Sequence, residues 1–221
     1  MKVRMRVFSN TEKRFVGTTA LVVFCLLFFA FFEESPELSS VLQGAIIALI
    51  FFLVLPIAYT RLVLREPLTN LGFRGTNHTI AVLWTAFLAM GGFLCCWFLV
   101  YVYPNVAGEA IFPVLIETSF LWFILYTLTL LPLTLFIYEV FFRGMMQILW
   151  LGNTWMAVGA QAVLFIALLQ LTEGIGLVDA PLILTTLAAG VVAKKTGSLW
   201  YAFLTSYLIV FLTDVLFLSL R

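Results

Sequence analysis

Charged residues are scarce in this chain: Asp, Glu, Lys and Arg make up 10% of its 221 residues, whereas 63% are hydrophobic. A soluble domain has about 25% charged residues, and no soluble core of this size hides so much apolar surface. The scarcity therefore excludes a soluble enzyme or binding domain and predicts an all-α, polytopic helical membrane protein. The net charge of +1 gives no indication of a nucleic-acid partner.

Ligands for metals and partners for disulfides are scarce as well. The chain has one histidine, His78, in a polar stretch, and three cysteines, Cys25, Cys95 and Cys96, in apolar runs. One histidine without an acidic cluster cannot build a conventional zinc site. Cysteines inside apolar runs are expected to be small packing residues rather than a disulfide framework. The sequence therefore predicts no metal and no cofactor.

Seven long apolar runs are expected to cross the bilayer as a single integral-membrane domain, residues 1–221. The first follows a basic segment but ends in Phe-Phe-Glu-Glu rather than a small-residue cleavage site, so we expect an uncleaved span. As one helix the fourth run would be ~60 Å long, whereas the hydrocarbon core of the bilayer is ~30 Å thick. We therefore expect a tilted or kinked span with an interfacial lead-in and breaks at Pro113 and Pro132. The runs are about 15–32, 40–64, 80–103, 111–151, 155–171, 180–193 and 199–220.

The distribution of charge predicts the orientation of these seven spans. With the N-terminus in the cytoplasm, the Lys and Arg residues before and between spans all fall inside, and the outer loops hold only acidic residues. Splitting the fourth run into two spans would place Lys194 and Lys195 outside, so an eight-span arrangement is rejected. The inner residues are Lys2, Arg4, Arg6, Lys13, Arg14, Arg61, Arg65, Arg74, Lys194 and Lys195, and the outer ones are Glu33, Glu34, Glu37, Glu109, Glu173 and Asp179.

Two ionisable residues, Glu139 and Arg143, lie within the fourth run, where an ionised group is costly. They are four residues apart, so they share a helix face and can pair. The rise of a helix places Gln170 in the fifth run and Ser206 in the seventh at a similar depth. We expect these polar side chains to face one cavity that opens to the cytoplasm.

The residues around this pair, Tyr-Glu-Val-Phe-Phe-Arg-Gly from Tyr138, resemble the Glu-Glu-x-x-x-Arg motif of the CAAX prenyl protease and bacteriocin-immunity (CPBP) family of membrane proteins. Residues 164–171 resemble the family's Phe-x-x-x-His segment, and residues 196–210 resemble its third motif, which normally continues to His-x-x-x-Asn. Residues 71–74, Leu-Gly-Phe-Arg, resemble a loop often found after the family's second span. The order and spacing of these segments match, with the motif region at residues 118–210.

The resemblance implies an integral protein of a prokaryotic plasma (inner) membrane, similar to a metal-independent glutamate protease. In such a protease a glutamate and a histidine activate water, and a second histidine with an asparagine holds the oxyanion. Carried over to this chain, the first glutamate of the motif, the usual base, falls on Tyr138. The second glutamate and the arginine remain as Glu139 and Arg143.

The other site positions of the family are also replaced. The histidine of the Phe-x-x-x-His segment falls on Gln170, and its phenylalanine falls on Ile166. The histidine of the third motif falls on Ser206, and its asparagine falls on Val210. Neither Gln170 nor Ser206 can take up a proton near neutral pH, and losing a general base typically costs about 10²–10⁴-fold in rate. The leading hypothesis is a catalytically degenerate member that binds a membrane-protein partner, a lipidated peptide or an immunity target.

Two other functions stay open: an active intramembrane endopeptidase that uses Glu139, and a structural subunit of a membrane complex. A transporter is disfavoured because the sequence has no clear internal repeat. Glu139 with Arg143 is either a catalytic remnant or a structural pair, and Gln170 is either a ligand contact or an interhelical hydrogen bond. Ser206 is expected to bond its own backbone as a packing residue, and Asp214 is expected to reach the outer interface.

Overall fold

The computed structural model describes residues 10–32, 40–75, 77–109, 116, 119–172 and 174–220. These residues form seven long helices, and none of them forms a strand. Short helical turns lie between the helices at Leu68–Leu71, Val106–Glu109 and Leu177–Asp179. The long helices are α1 Asn10–Ala30, α2 over residues 40–63, α3 His78–Val102, α4 Phe120–Trp150, α5 Trp155–Thr172, α6 Ala180–Thr196 and α7 Leu199–Ser219.

Six of these helices, α2 to α7, are long and apolar enough to cross a membrane, whereas α1 has a shorter apolar segment, Arg14–Ala30. The protein is therefore an α-helical membrane bundle, as its composition predicts. The observed ends of α3, α5 and α7 lie within two residues of the predicted ones. The sixth run ends later than predicted, at Thr196. Gly197 ends the helix by adopting a left-handed conformation at φ 64°, and the positive charges of Lys194 and Lys195 stabilise the last turn.

The expected break at Pro132 does not occur, since α4 continues through it. The turn before it, Tyr126–Leu130, is π-helical and therefore wider than an α-helical turn. A proline lacks an N–H group and crowds the carbonyl four residues earlier, so a wide turn there lets the helix pass. Pro56 in α2 has the same arrangement, with the π-helical segment Leu49–Val54 before it.

Several predictions concern parts of the chain outside the described residues. These are the basic residues 1–9, the acidic segment 33–39, and the lead-in at 110–118 apart from Ile116. Pro113, Glu173 and Arg221 also lie outside the described residues.

One end of the bundle, called the basic end here, gathers the described cationic residues that were predicted to lie inside. Arg14 Nη1 lies 2.8 Å from Glu66 Oε1, which joins the start of α1 to the loop after α2. Lys195 Nζ lies 5.1 Å and 5.2 Å from the ring centroids of Trp84 and Trp155, which joins α6 to α3 and α5.

α4 occupies the centre of the bundle. α1, α2 and α5 pack against it, and α6 contacts α3, α4, α5 and α7. Consequently α4 lies between α2 on one side and α6 and α7 on the other, and α5 contacts both α4 and α6. The candidate site is built on the two faces of α4.

Candidate functional site

α4 has an aromatic face that packs against α2 and α5. Phe52 of α2 lies 4.4 Å from Phe141 and 5.6 Å from Tyr138, measured between ring centroids. Phe165 of α5 lies 5.1 Å from Phe142 in an edge-to-face arrangement. These rings form the largest buried apolar cluster in the described part of the chain, and they hold α4 in a fixed rotation about its axis.

The opposite face of α4 is polar. Glu139, Arg143 and Gln147 recur every four residues and are buried, and Arg143 and Gln147 lie in the π-helical segment Val140–Trp150. π-Helical segments are rare, and the single-turn bulges that account for most of them often occur at functional sites. Residues four apart lie on nearly the same side of the helix, so these three side chains point together toward α6 and α7.

Glu139 and Arg143 form the predicted pair, and both are only 2% exposed. Arg143 Nε lies 3.3 Å from Glu139 Oε2, an ion-pair distance without full hydrogen-bond geometry. Ser206 of α7 donates from Oγ to Glu139 Oε1 at 2.6 Å. Ser206 is therefore a direct partner of the carboxylate rather than a residue that bonds its own backbone.

α6 contributes backbone carbonyls to the polar face. The carbonyl of Thr185 accepts from Arg143 Nη2 at 3.5 Å, and the carbonyl of Gly190 accepts from Gln147 Nε2 at 2.8 Å. These carbonyls are accessible to side chains because α6 is rich in small residues, Ala188, Ala189, Gly190 and Ala193 among them. One helix thus serves as a row of acceptors for its neighbours.

Gln161 of α5 and Asn153 of the α4–α5 turn use the same row. Gln161 Nε2 donates to the carbonyl of Thr186 at 3.1 Å, and Asn153 Nδ2 donates to the carbonyl of Ala193 at 3.2 Å. Asn153 also accepts from Gln147 Nε2 at 2.9 Å. These contacts define the polar cluster, which consists of Glu139, Arg143, Gln147, Gln161, Thr185 and Ser206.

Three of the sequence-predicted site residues, Tyr138, Gln170 and Val210, do not join the polar cluster. Gln170 is exposed near the end of α5 and does not form the interhelical hydrogen bond that was one of its two expected roles. Val210 is 8% exposed and packs with Leu131 and Leu135 in an apolar cluster. Asp214, which was expected to reach the outer interface, is half-buried and accepts a hydrogen bond from the Tyr126 hydroxyl at 3.4 Å.

Gln147 and Gln161 belong to the polar cluster but were not predicted from the sequence. Gln147 follows Arg143 by four residues, so the same spacing that pairs Glu139 with Arg143 indicates its position. Gln161 carries no comparable signal, because α5 is apolar on every side. In the structure Gln161 lies against Gly190, where a Cβ atom would be only 2.7 Å from Gln161 Nε2.

A cavity of about 600 Å³ lies on the aromatic side of α4. It is at the end of the bundle away from the basic end, between the end of α1, the start of α2 and the end of α5. Glu139, Gln170 and Ser206, which were expected to face one cavity, do not line this one. Tyr138 lines this cavity, while its neighbour Glu139 belongs to the polar cluster. The other lining residues include Phe29, Gly44, Ile47, Leu49, Leu133, Thr134, Ile137 and Leu171.

The loop of residues 71–74 closes the basic end. Arg74 Nε donates to the carbonyl of Gly197 at 2.9 Å, and Ser198 Oγ donates to the carbonyl of Arg74 at 3.1 Å. The backbone also turns at Gly72, where φ is 91°, and its carbonyl accepts from Leu199 N at 2.9 Å. This segment thus fastens the loop after α2 to the turn between α6 and α7.

No metal-binding group appears among the described residues, since no three His, Cys, Asp or Glu side chains gather there. His78 Nδ1 lies 2.6 Å from the hydroxyl of Tyr201, an exposed contact between α3 and α7. Cys25 and Cys96 are buried, and Cys95 is exposed; all three are free thiols.

No family model matches this sequence, and neither a curated protein nor a solved structure matches the chain.

Proposed function

We propose that this protein is a catalytically degenerate membrane protein of the CPBP type that binds a lipidated peptide or a similar apolar segment without cleaving it. The observation that carries the proposal is the division of the motif between two faces of α4. Tyr138, at the position of the family's base, lines the cavity, and Glu139 is buried in the polar cluster on the other side.

The cavity suits an apolar chain with a small polar end. Its volume lies within the range of about 300–1,000 Å³ that is usual for small-molecule sites. Aliphatic and phenylalanine side chains form most of its wall, and Tyr138 and Thr134 supply hydroxyl groups. A prenyl or acyl chain would be buried among the apolar side chains, and its linkage to a peptide would lie near the hydroxyls.

Hydrolysis is disfavoured by the partners of Glu139. A base needs access to water and substrate, and a second donor must be aimed at the oxyanion. The Glu139 carboxylate is engaged by Arg143 and Ser206 within the bundle, and Gln170 faces outward. These contacts favour a structural pair that ties α4 to α7.

The binding proposal is tested with purified protein in nanodiscs and a fluorescent farnesylated cysteine peptide. Gly44 lines the cavity, and a Cβ atom there would meet open space, so Gly44→Leu places a side chain in the cavity without a clash. We expect saturable binding that Gly44→Leu weakens at least tenfold. Gly159→Leu, at an exposed site of α5 that also has open space, is the matched control and should bind normally.

Two outcomes would contradict the proposal. If the protein cleaves the peptide and Glu139→Gln abolishes cleavage, it is an active endopeptidase. If the peptide does not bind and a fixed set of membrane proteins copurifies in mild detergent, it is a structural subunit of a complex.

We further propose seven spans, with α1 as the first, an N-terminus in the cytoplasm, and a prokaryotic plasma membrane as the location. The cationic residues of the basic end support this orientation under the positive-inside rule. A membrane-impermeant maleimide applied to intact cells tests it, after replacement of Cys95 by serine. Cysteine at Asn153 should be protected, and cysteine at Val178 should be labelled; the reverse pattern would contradict the orientation.

A further inference from the structure

Buried side-chain nitrogen and oxygen atoms that lack a hydrogen-bond partner all fall in one place within the described part of the chain. Every one belongs to the polar cluster, and together they come from α4, α5 and α6. Unsatisfied buried groups are rare in proteins, and each asks for an explanation such as a bound water. The atoms are Glu139 Oε2, Arg143 Nε, Gln147 Oε1, Gln161 Oε1 and Thr185 Oγ1.

The orientation of the two glutamine amides follows from their partners. Gln147 Nε2 faces the carbonyl of Gly190, and Gln161 Nε2 faces the carbonyls of Val158 and Thr186. A carbonyl only accepts, so turning either amide over would set oxygen against oxygen. Both Oε1 atoms therefore point away from the α6 carbonyls and remain available as acceptors.

The chemistry of these atoms selects the ligand. Gln147 Oε1, Gln161 Oε1 and Glu139 Oε2 accept, Arg143 Nε donates, and Thr185 Oγ1 does both. A cation would match the acceptors but would lie beside the Arg143 guanidinium, and an anion would lie beside the Glu139 carboxylate. Water matches every atom because it donates and accepts without adding charge.

We propose that the polar cluster is a binding site for ordered water, centred on Gln147, Gln161 and Thr185 and extending to Arg143. Asn153 connects the site to the aqueous phase, because it is half-buried at the basic end and bonds to Gln147. The water lies on the α6 side of α4, away from the cavity that Tyr138 lines. This inference does not depend on what the cavity binds.

Solid-state NMR of the native protein in lipid bilayers tests the site directly. The chain has four glutamines, Gln43, Gln147, Gln161 and Gln170, so labelling glutamine with nitrogen-15 gives four side-chain amide signals, assigned by single substitutions. We expect magnetisation from water to reach the side-chain amides of Gln147 and Gln161 several-fold faster than the backbone amides of the same residues, which lie inside helices. Equally slow transfer to both kinds of amide would show a dry cluster and overturn the proposal.

Gly190→Ala tests the location of the water. Its new Cβ atom would lie 2.7 Å from Gln161 Nε2 and 3.4 Å from Gln147 Oε1, so it should disturb the site and slow the transfer several-fold. Gly159→Ala, where a Cβ atom meets open space, should leave the transfer unchanged. Thr185→Val removes one hydrogen-bond partner of the water while keeping the shape of the side chain. It replaces Gly190→Ala as the test variant if Gly190→Ala does not fold, and it should also slow the transfer.

A saturable shift of the Gln147 and Gln161 signals on adding sodium or potassium chloride would also overturn the proposal, in favour of a cation site.

Discussion

Removing Glu139 from the Glu139–Arg143 pair is expected to destabilise the bundle as much as, or more than, removing both residues. Glu139→Leu leaves Arg143 2% exposed, with only the 3.5 Å contact to the Thr185 carbonyl as a hydrogen bond. Breaking a buried pair in this way typically costs about 3–5 kcal/mol, because an uncompensated charge stays away from water.

Removing Arg143 instead of Glu139 should lower the free energy of unfolding by less. In Arg143→Met, Glu139 keeps the 2.6 Å hydrogen bond from Ser206. Hydrogen bonds to a charged group are worth about 1.5–3 kcal/mol, so part of the solvation of the carboxylate is retained. In the double variant neither charge remains, and the loss of stability should not exceed that of Glu139→Leu alone.

Reversible unfolding in mixed micelles, titrated with SDS and followed by tryptophan fluorescence, measures these free energies. Gln170→Leu is the control, because this exposed change from polar to apolar should shift the free energy by no more than about 0.5 kcal/mol. The reasoning is refuted if the two single losses add in the double variant, or if Glu139→Leu costs less than about 1 kcal/mol.

Two further substitutions test how the basic end is fastened. Gly197→Ala should lower the melting temperature more than Gly152→Ala. Both glycines have positive φ, where adding a side chain costs about 1–2 kcal/mol of backbone strain. Only at Gly197 would the new Cβ atom also collide with the Arg74 guanidinium. Equal losses would show that Arg74 moves aside freely. Trp150→Phe should cost about 1 kcal/mol by removing the 2.8 Å bond from Trp150 Nε1 to Thr19 Oγ1, measured by the same SDS titration. Adding Thr19→Val to Trp150→Phe should then cost little more, and a full second loss would contradict the assignment of this bond.

The helices could be predicted from the sequence because the bilayer sets their length. Uninterrupted apolar runs bounded by polar turns identify α3, α5 and α7 to within two residues. The pairing of Glu139 with Arg143 was equally accessible, since it depends only on helical spacing. The π-helical segments before Pro56 and Pro132 were not predictable, because their hydrogen bonds depend on packing around these prolines.

The faces of α5 show why the rest of the site could not be predicted. Nine residues, or two and a half turns at 3.6 residues per turn, separate Gln161 from Gln170, so only one of them can face the interior. Either choice agrees with the sequence, because apolar residues cover α5 on all sides and hydrophobic periodicity has no contrast. The helices around α5 decide the matter: Gln161 finds the carbonyl of Thr186, and Gln170 is exposed.

The carbonyl row of α6 bears on how this chain can change during evolution. A backbone carbonyl is present whichever residue occupies the position, so selection on α6 acts on side-chain size rather than on chemical identity. The donors on α4 and α5 are constrained in the opposite way, because Gln147 and Gln161 must keep an amide of suitable reach. Homologous sequences should therefore interchange Ala, Gly and Ser on α6 except at Gly190, where a Cβ atom would lie 2.7 Å from Gln161 Nε2. Substitutions at the donor positions should be rare and restricted to other hydrogen-bond donors.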